Sequence, residues 1–264
     1  MKRFEIKNGV LINYIRKKGV KNVTIPDGVT SIGERAFSGC TWLKSITIPD
    51  GVTSIENWAF SGCTRLKSIT IPDSVTSIGR DAFYYCEKLT SATIGNSVTS
   101  IGFGAFRGCT GLEDITIRDG VTSIENWAFS GCTRLKSITI PDSVINIGEC
   151  AFWECKNLKT KKANYKAFNF QKGKLKCRNL EFFEGEWSES IDEIAMCEQG
   201  YHFCDNLFAV FNYYSGEIDK DIAIYECEVG EKIENDGIKS VTNRIKPVKR
   251  LYREDVIRIL NGGE

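Results

Sequence analysis

The chain has 264 residues, enough for two domains or for one elongated array with a small globule behind it. Its 42% hydrophobic and 26% charged residues, with five prolines, describe a folded chain and exclude a disordered one. Split near residue 160, 19 of the 35 basic and 15 of the 34 acidic residues come first, leaving 16 and 19 behind, so the halves carry +4 and −3. Neither has the basic excess that neutralising phosphates requires, which argues against nucleic acid as a partner.

In chain order, the opening MKRFEIKNGVLINYIRKKG has a charged start but no apolar stretch of signal-peptide length, and no later run approaches a membrane span. The expected location is cytoplasmic, with no membrane partner. Ile6, Val10, Ile12 and Tyr14 alternate around Asn8 and Gly9, which predicts a hairpin from Phe4 to Ile15. That hairpin is the expected front cap.

A 23-residue unit then recurs six times, aligned on AFSGC at Ala36 and Ala59, AFYYC at Ala82, AFRGC at Ala105, AFSGC at Ala128 and AFWEC at Ala151. A fixed period of this length marks a solenoid. Within each coil SITIP alternates, placing Ile46 and Ile48 inward and Ser45 and Thr47 outward, as a short strand requires. IPDG or IPDS turns the chain through Pro, Asp and Gly. VTSI supplies a second extended piece, and the stretch from Glu34 to Cys40 reads as a single inward-facing helical turn.

One coil cannot bury its own Phe, Ile and Leu, so neighbours and end caps are required. Behind the last coil the pattern dissolves into the lysines of KNLKTKKANY. The chain carries 11 cysteines, an odd number, and six of them hold one place in every coil: Cys40, Cys63, Cys86, Cys109, Cys132 and Cys155. Such spacing is a repeated core position, expected to stay reduced because ladder side chains run parallel and pack rather than bridge.

The phrases IPDGVTSIG, AFSGC and L-x-S-I-T-I resemble the BspA-like leucine-rich repeats over about 160 residues. The resemblance implies a right-handed solenoid of parallel strands, used for protein contact or adhesion, and many such relatives are surface proteins. The expected fold class is α+β, a six-coil leucine-rich-repeat solenoid over residues 1–160 followed by a small α+β domain over residues 161–264. Asp50 to Val75 is identical, letter for letter, to Asp119 to Val144, a shift of three coils. That identity reads as duplication inside the array.

Candidate binding residues are the departures from the repeat. Thr24, Thr47, Thr70, Thr93, Thr116 and Thr139 form a polar ladder that any exposed sheet would carry. Trp58, Tyr84, Tyr85, Phe103, Arg107, Arg118 and Trp127 instead replace commoner residues. Exposed together, they would form the kind of patch that anchors protein partners. Packing of each Trp over the adjacent coil is the competing reading.

From about Tyr165 the period is gone. Strands are predicted at Tyr165 to Phe170, Leu175 to Cys177, Leu180 to Phe183, Ile222 to Val229 and around Ile238 to Ile245. Helices are predicted after an Asp205 N-cap and from Tyr252 to Leu260. The segments KAFNF, LKCRNLEFFEGEW and CEQGYHFCDNLFAVFNYY resemble a domain of uncharacterised function found in phage and bacterial proteins, marked by G-[FY]-H-F-C.

Cys177, Cys197, His202, Cys204 and Cys227 are candidate zinc ligands by type, without the tight C-x2-C knuckle of structural sites. The order of elements is also similar to small bacterial ADP-ribosyltransferases, which would make the tail an NAD-using enzyme. Tyr165, His202 and Tyr214 are its candidate catalytic residues, although the first strand, YKAFNF, lacks the His or Arg that such enzymes use to hold NAD. The reading preferred on the residues is a non-catalytic tail with no cofactor. On that reading the chain is an intracellular protein-interaction module, a bacterial or phage effector that binds and inhibits a host protein, with surface adhesion and the targeted transferase as alternatives. The residues leave the oligomeric state open.

Overall fold

The computed structural model describes residues 3–15, 20–158 and 251–261 throughout, and residues 165–250 through the backbone of their strands. The chain divides into two compact units, Met1–Leu158 and Lys159–Glu264.

The first unit opens with β1 (Phe4–Lys7) and β2 (Val10–Tyr14), paired antiparallel across Asn8 and Gly9. Each coil then adds one three-residue and one two-residue strand. In order these are β3 (Asn22–Thr24), β4 (Ser31–Ile32), β5 (Ser45–Thr47), β6 (Ser54–Ile55), β7 (Ser68–Thr70) and β8 (Ser77–Ile78), then β9 (Ser91–Thr93), β10 (Ser100–Ile101), β11 (Asp114–Thr116), β12 (Ser123–Ile124), β13 (Ser137–Thr139) and β14 (Asn146–Ile147). The result is a solenoid of six coils. Pairing is parallel and sets like on like, Ile55 opposite Ile78 and Ile101 opposite Ile124.

The two-residue strands form one unbroken ladder from β4 to β14, and β2 extends it by pairing parallel to β4, Leu11 opposite Ile32. In this way the hairpin caps the first coil. The three-residue strands form two ladders, β3–β5 and β7–β9–β11–β13, with no pairing between β5 and β7. β7 and β13 share the sequence SITIP, yet β13 pairs with β11, so the interruption comes from the neighbours and not from the strand.

The third side corrects one expectation: Glu34 to Cys40 is not helical. Alternate residues hydrogen-bond in different directions there. Arg35, Phe37 and Gly39 donate their N–H groups to Asn57, Ala59 and Ser61 of the next coil at 3.1, 2.8 and 2.7 Å, while Ala36, Ser38 and Cys40 each donate to the residue three places earlier in their own coil. This alternation needs left-handed backbone at two places per coil. One is filled by Arg35, Trp58, Asp81, Gly104, Trp127 and Cys150, the other by Gly39, Gly62, Tyr85, Gly108, Gly131 and Glu154. A helix would satisfy its N–H groups internally; stacked coils gain a hydrogen-bonded wall instead.

The core is a set of stacked ladders. Phe37, Phe60, Phe83, Phe106, Phe129 and Phe152 lie in successive coils with ring centroids 5.1 to 5.7 Å apart and planes within 9° of parallel. Tyr14 of the hairpin stacks on Phe37 at 5.3 Å and closes that ladder. The cysteines do more than fill space. Cys63 Sγ donates to Phe37 O at 3.2 Å, and Cys86, Cys109, Cys132 and Cys155 repeat the bond to Phe60, Phe83, Phe106 and Phe129 at 3.1 to 3.3 Å. A small residue with a weak donor fits this place better than Ala or Val.

Burial pushes the Cys86 and Cys132 thiols up, and Cys155 to about 12 from an ordinary value of 9.0. A raised native pKa means the unfolded chain ionises first, so this contribution to stability is complete below pH 9 and is lost as pH rises from 9 towards about 12. Native protein treated with iodoacetamide at about pH 8 is expected to leave all six ladder cysteines unmodified by peptide mapping, with full labelling in urea. Labelling of Cys86 or Cys109 in the folded protein would contradict the burial.

In the second unit, β15 (Tyr165–Gln171), β16 (Lys174–Cys177), β17 (Leu180–Phe182), β18 (Tyr201–Phe203), β19 (Gly216–Glu217), β20 (Ile222–Val229), β21 (Lys232–Asn235), β22 (Ser240–Thr242) and β23 (Ile245–Leu251) precede, among the described residues, the helix α1 (Arg253–Leu260). An antiparallel sheet runs β17–β16–β15–β20–β23, and a second runs β18–β22–β21. The single strand expected around Ile238 to Ile245 is in fact parts of two strands, β22 and β23, in different sheets. Pro247 lies in β23 opposite Cys227, where the register shifts, as a residue without an N–H donor requires. Asp255 accepts the Tyr252 N–H at 3.2 Å to start α1, which buries Val256, Ile257, Ile259 and Leu260. The helix expected after Asp205 lies outside the described residues.

Candidate functional site

Six of the seven candidate binding residues stand on the AFSGC side of the solenoid. Arg107 is at their centre, its guanidinium 5.1 Å from the Trp127 ring and 5.8 Å from the Tyr84 ring. Tyr84 meets Tyr85 edge-on at 4.3 Å. Arg80 covers Phe103 at 4.3 Å, and Arg35 covers Trp58 at 4.5 Å. Each arginine–ring pair joins neighbouring coils, so the tryptophans pack against adjacent coils and still remain only half-buried.

Arg35 stands just before the Ala of its coil, one of the places where coils differ, and supplies the cation for Trp58; Arg80, which supplies the cation for Phe103, was passed over. The available signal was spacing: Arg35 and Trp58, like Arg80 and Phe103, are one 23-residue period apart. Arg80 is further held by Asp81, Nε to Oδ2 at 3.2 Å, and Asp81 is buried against Gly104, where an added Cβ would collide with its carboxylate.

Tyr85 is the departure with the clearest physical signature. Four coils place Gly at this position, where the backbone is left-handed; here a Tyr adopts φ 53° and remains 46% exposed. Its ring rests over Gly108 of the next coil, where an added Cβ would lie 3.0 Å from Tyr85 Cδ1. An L-residue in this conformation costs about 1–2 kcal/mol, and the ring is left nearly half exposed. Partial burial raises the neighbouring Tyr84 phenol above its ordinary value, with hydrogen bonding to Tyr85 adding to the rise. Tyr84 therefore presents a neutral hydroxyl at physiological pH.

Arg118 is not part of this edge. It takes the place that Pro26, Pro49, Pro72 and Pro141 hold in other coils, with Gly95 before it, and it lines a cleft of about 480 Å³ with Thr47, Thr70, Thr93 and Asp73. That cleft lies over the interruption between β5 and β7. Ile25, Ile71 and Ile94 donate their N–H groups to Thr47, Thr93 and Thr116 across neighbouring coils, while Ile48 and Ile117 make no such bond to Thr70 and Thr139. The threonine ladder is exposed apart from Thr93, which is half-buried.

Of the tail candidates, Tyr165, Cys177, His202 and Cys227 have backbones on β15, β16, β18 and β20. Their side chains, and all of Cys197, Cys204 and Tyr214, lie outside the described residues. Among the described residues, no helix is long and apolar enough to cross a membrane.

A family model for the BspA type leucine rich repeat region, in six copies, matches residues 13–118 and 76–209. A model for a domain of unknown function (DUF7666) matches residues 163–259. A search of the curated proteins gives no significant match. Among solved structures, a Treponema pallidum leucine rich repeat protein is 30% identical, covering 56% of this chain and 81% of that one with a TM-score of 0.49. A leucine-rich repeat protein from Bacteroides ovatus is 32% identical over 52% of this chain and 42% of its own length, TM-score 0.42. One from Eubacterium ventriosum is 24% identical over 56% and 46%, TM-score 0.46. The solenoid is consistent with protein–protein interaction or a surface role.

Proposed function

The chain belongs to the BspA type leucine-rich repeat family, and from that premise we propose that its solenoid is a protein-recognition module that holds its partner through the edge formed by Tyr84, Tyr85, Arg107 and Trp127. Tyr85 carries the reading: an exposed aromatic kept in left-handed backbone where Gly is the default serves stability poorly. Tyr, Trp and Arg are also the residues that dominate protein interfaces. Phe103 and Trp58, with their covering arginines, extend the edge in both directions.

The module works inside the cell, as a bacterial or phage effector that binds and inhibits a host protein. What supports this is the duplication of Asp50 to Val75 as Asp119 to Val144. An array that can gain whole coils changes its surface without changing its fold.

The test separates binding from stability. Tyr85→Gly restores the residue other coils use, so thermal and urea unfolding should change by no more than about 1 kcal/mol. Affinity for a host protein recovered with the wild-type chain should fall at least about thirtyfold, the size of a hot-spot loss. Arg107→Glu should lose the same protein and Thr139→Lys, on the strand face, should keep it. Retention of wild-type affinity by Tyr85→Gly would sink the proposal.

A further inference from the structure

The front cap carries a second surface, separate from the aromatic edge. β1 is the outermost strand of its ladder, and its one partner among the described residues is β2. Asn8 and Gly9 take φ 49° and 77°, the two left-handed residues of a type I′ hairpin turn. Lys7 and Val10, which flank the turn, therefore face each other as a hydrogen-bonded pair, and Arg3 O accepts the Ile15 N–H at 2.8 Å at the far end. Direction alternates along a strand, so the N–H and C=O groups of Phe4 and Ile6 point away from β2. Around this edge Ile6, Ile12 and Ile15 are 42%, 41% and 47% exposed, three of the six large hydrophobics that are exposed among the described residues. Exposed apolar residues beside an unpaired strand edge favour strand addition.

The sequence of the edge specifies the added strand. Written from Arg3 to Lys7 it reads R-F-E-I-K, and an antiparallel copy centred on Ile6 sets Ile6 opposite Ile6 and Glu5 opposite Lys7 twice over. The centre falls on a residue whose backbone points outward, so the two Ile6 residues exchange both hydrogen bonds of a narrow pair. Opposite charges then occupy the directly facing positions on either side.

We infer that β1 is a self-association edge, through which two copies of this chain pair β1 to β1 antiparallel about Ile6 to form a two-fold dimer. A two-fold contact must be self-complementary, and Glu5-Ile6-Lys7 is. Four-residue strands and a few isoleucines bury less than the roughly 1,200 Å² of a standard interface, so the dimer forms in the range of tens to hundreds of micromolar.

Sedimentation equilibrium of the full chain from about 5 to 500 µM tests it, this range bracketing the expected dissociation constant. Wild type should show a reversible monomer–dimer equilibrium. Glu5→Lys and Lys7→Glu each set like charges face to face and should raise the dissociation constant at least about tenfold, while the double swap Glu5→Lys with Lys7→Glu restores it to within about threefold. Far-ultraviolet circular dichroism of each variant establishes that the cap stays folded. A chain monomeric throughout the range, a dimer indifferent to the single swaps, or a folded double swap that fails to recover overturns the inference.

Discussion

Phe83→Ala is expected to remove about 3–5 kcal/mol of unfolding free energy, the range for emptying a buried Phe site. Phe83 has no exposed surface and stacks between Phe60 at 5.2 Å and Phe106 at 5.1 Å, so the cavity would open on both sides of coil three. The loss has a second part, specific to a one-dimensional array. Each coil is held by its neighbours, so a weakened pair of interfaces in the middle lets the two ends unfold separately. Urea titration should show a lower midpoint and a broader or two-step transition. Phe152→Ala, at the last coil with its nearest ladder ring at 5.7 Å, should give a smaller loss and keep one transition. Equal losses at the two positions would mean that the ladder is not the unit of stability.

The second large effect comes from two glycines at the start of the duplicated segments. Gly51 and Gly120 follow Asp50 and Asp119 in the identical segments. A Cβ on Gly120 would land on the carbonyl oxygen of Asn96, whereas one on Gly51 would sit 3.6 Å from Val29 O, an ordinary contact. The coils beneath them differ: coil one turns through Gly28 at φ 85°, coil four through Asn96 and Ser97. Gly120→Ala should therefore cost on the order of 2–3 kcal/mol, as overpacking against fixed backbone does, and Gly51→Ala less than about 0.5 kcal/mol. Parallel urea titrations decide it, and similar losses at both sites would show that the turns are alike.

Much of the candidate site was legible. Trp58, Tyr84, Tyr85, Phe103, Arg107 and Trp127 stand out because a repeat makes every departure visible, and the structure sets them on one side of the coils. Arg118 stood out equally and belongs elsewhere, over the β5/β7 cleft. A departure marks a position within the coil; which side that position faces depends on how the coil turns. Of the covering arginines, Arg80 was passed over because it looks like an ordinary surface residue until the coils stack.

By itself the sequence determined the period, the six coils, the hairpin cap and which residues face inward, because a solenoid core must repeat with its coil and period-two alternation leaves one choice of face. Tertiary structure alone decided three things. The AFSGC segment is a hydrogen-bonded wall instead of a helical turn, because alternate N–H groups find partners in the next coil and left-handed residues become tolerable there. The strand ladder breaks between β5 and β7 although β7 has the sequence of the paired β13, because pairing belongs to two strands and not to one. Gly51 and Gly120 have the same sequence after them and different space, because what a side chain meets is set by the coil beneath, 23 residues away in the chain.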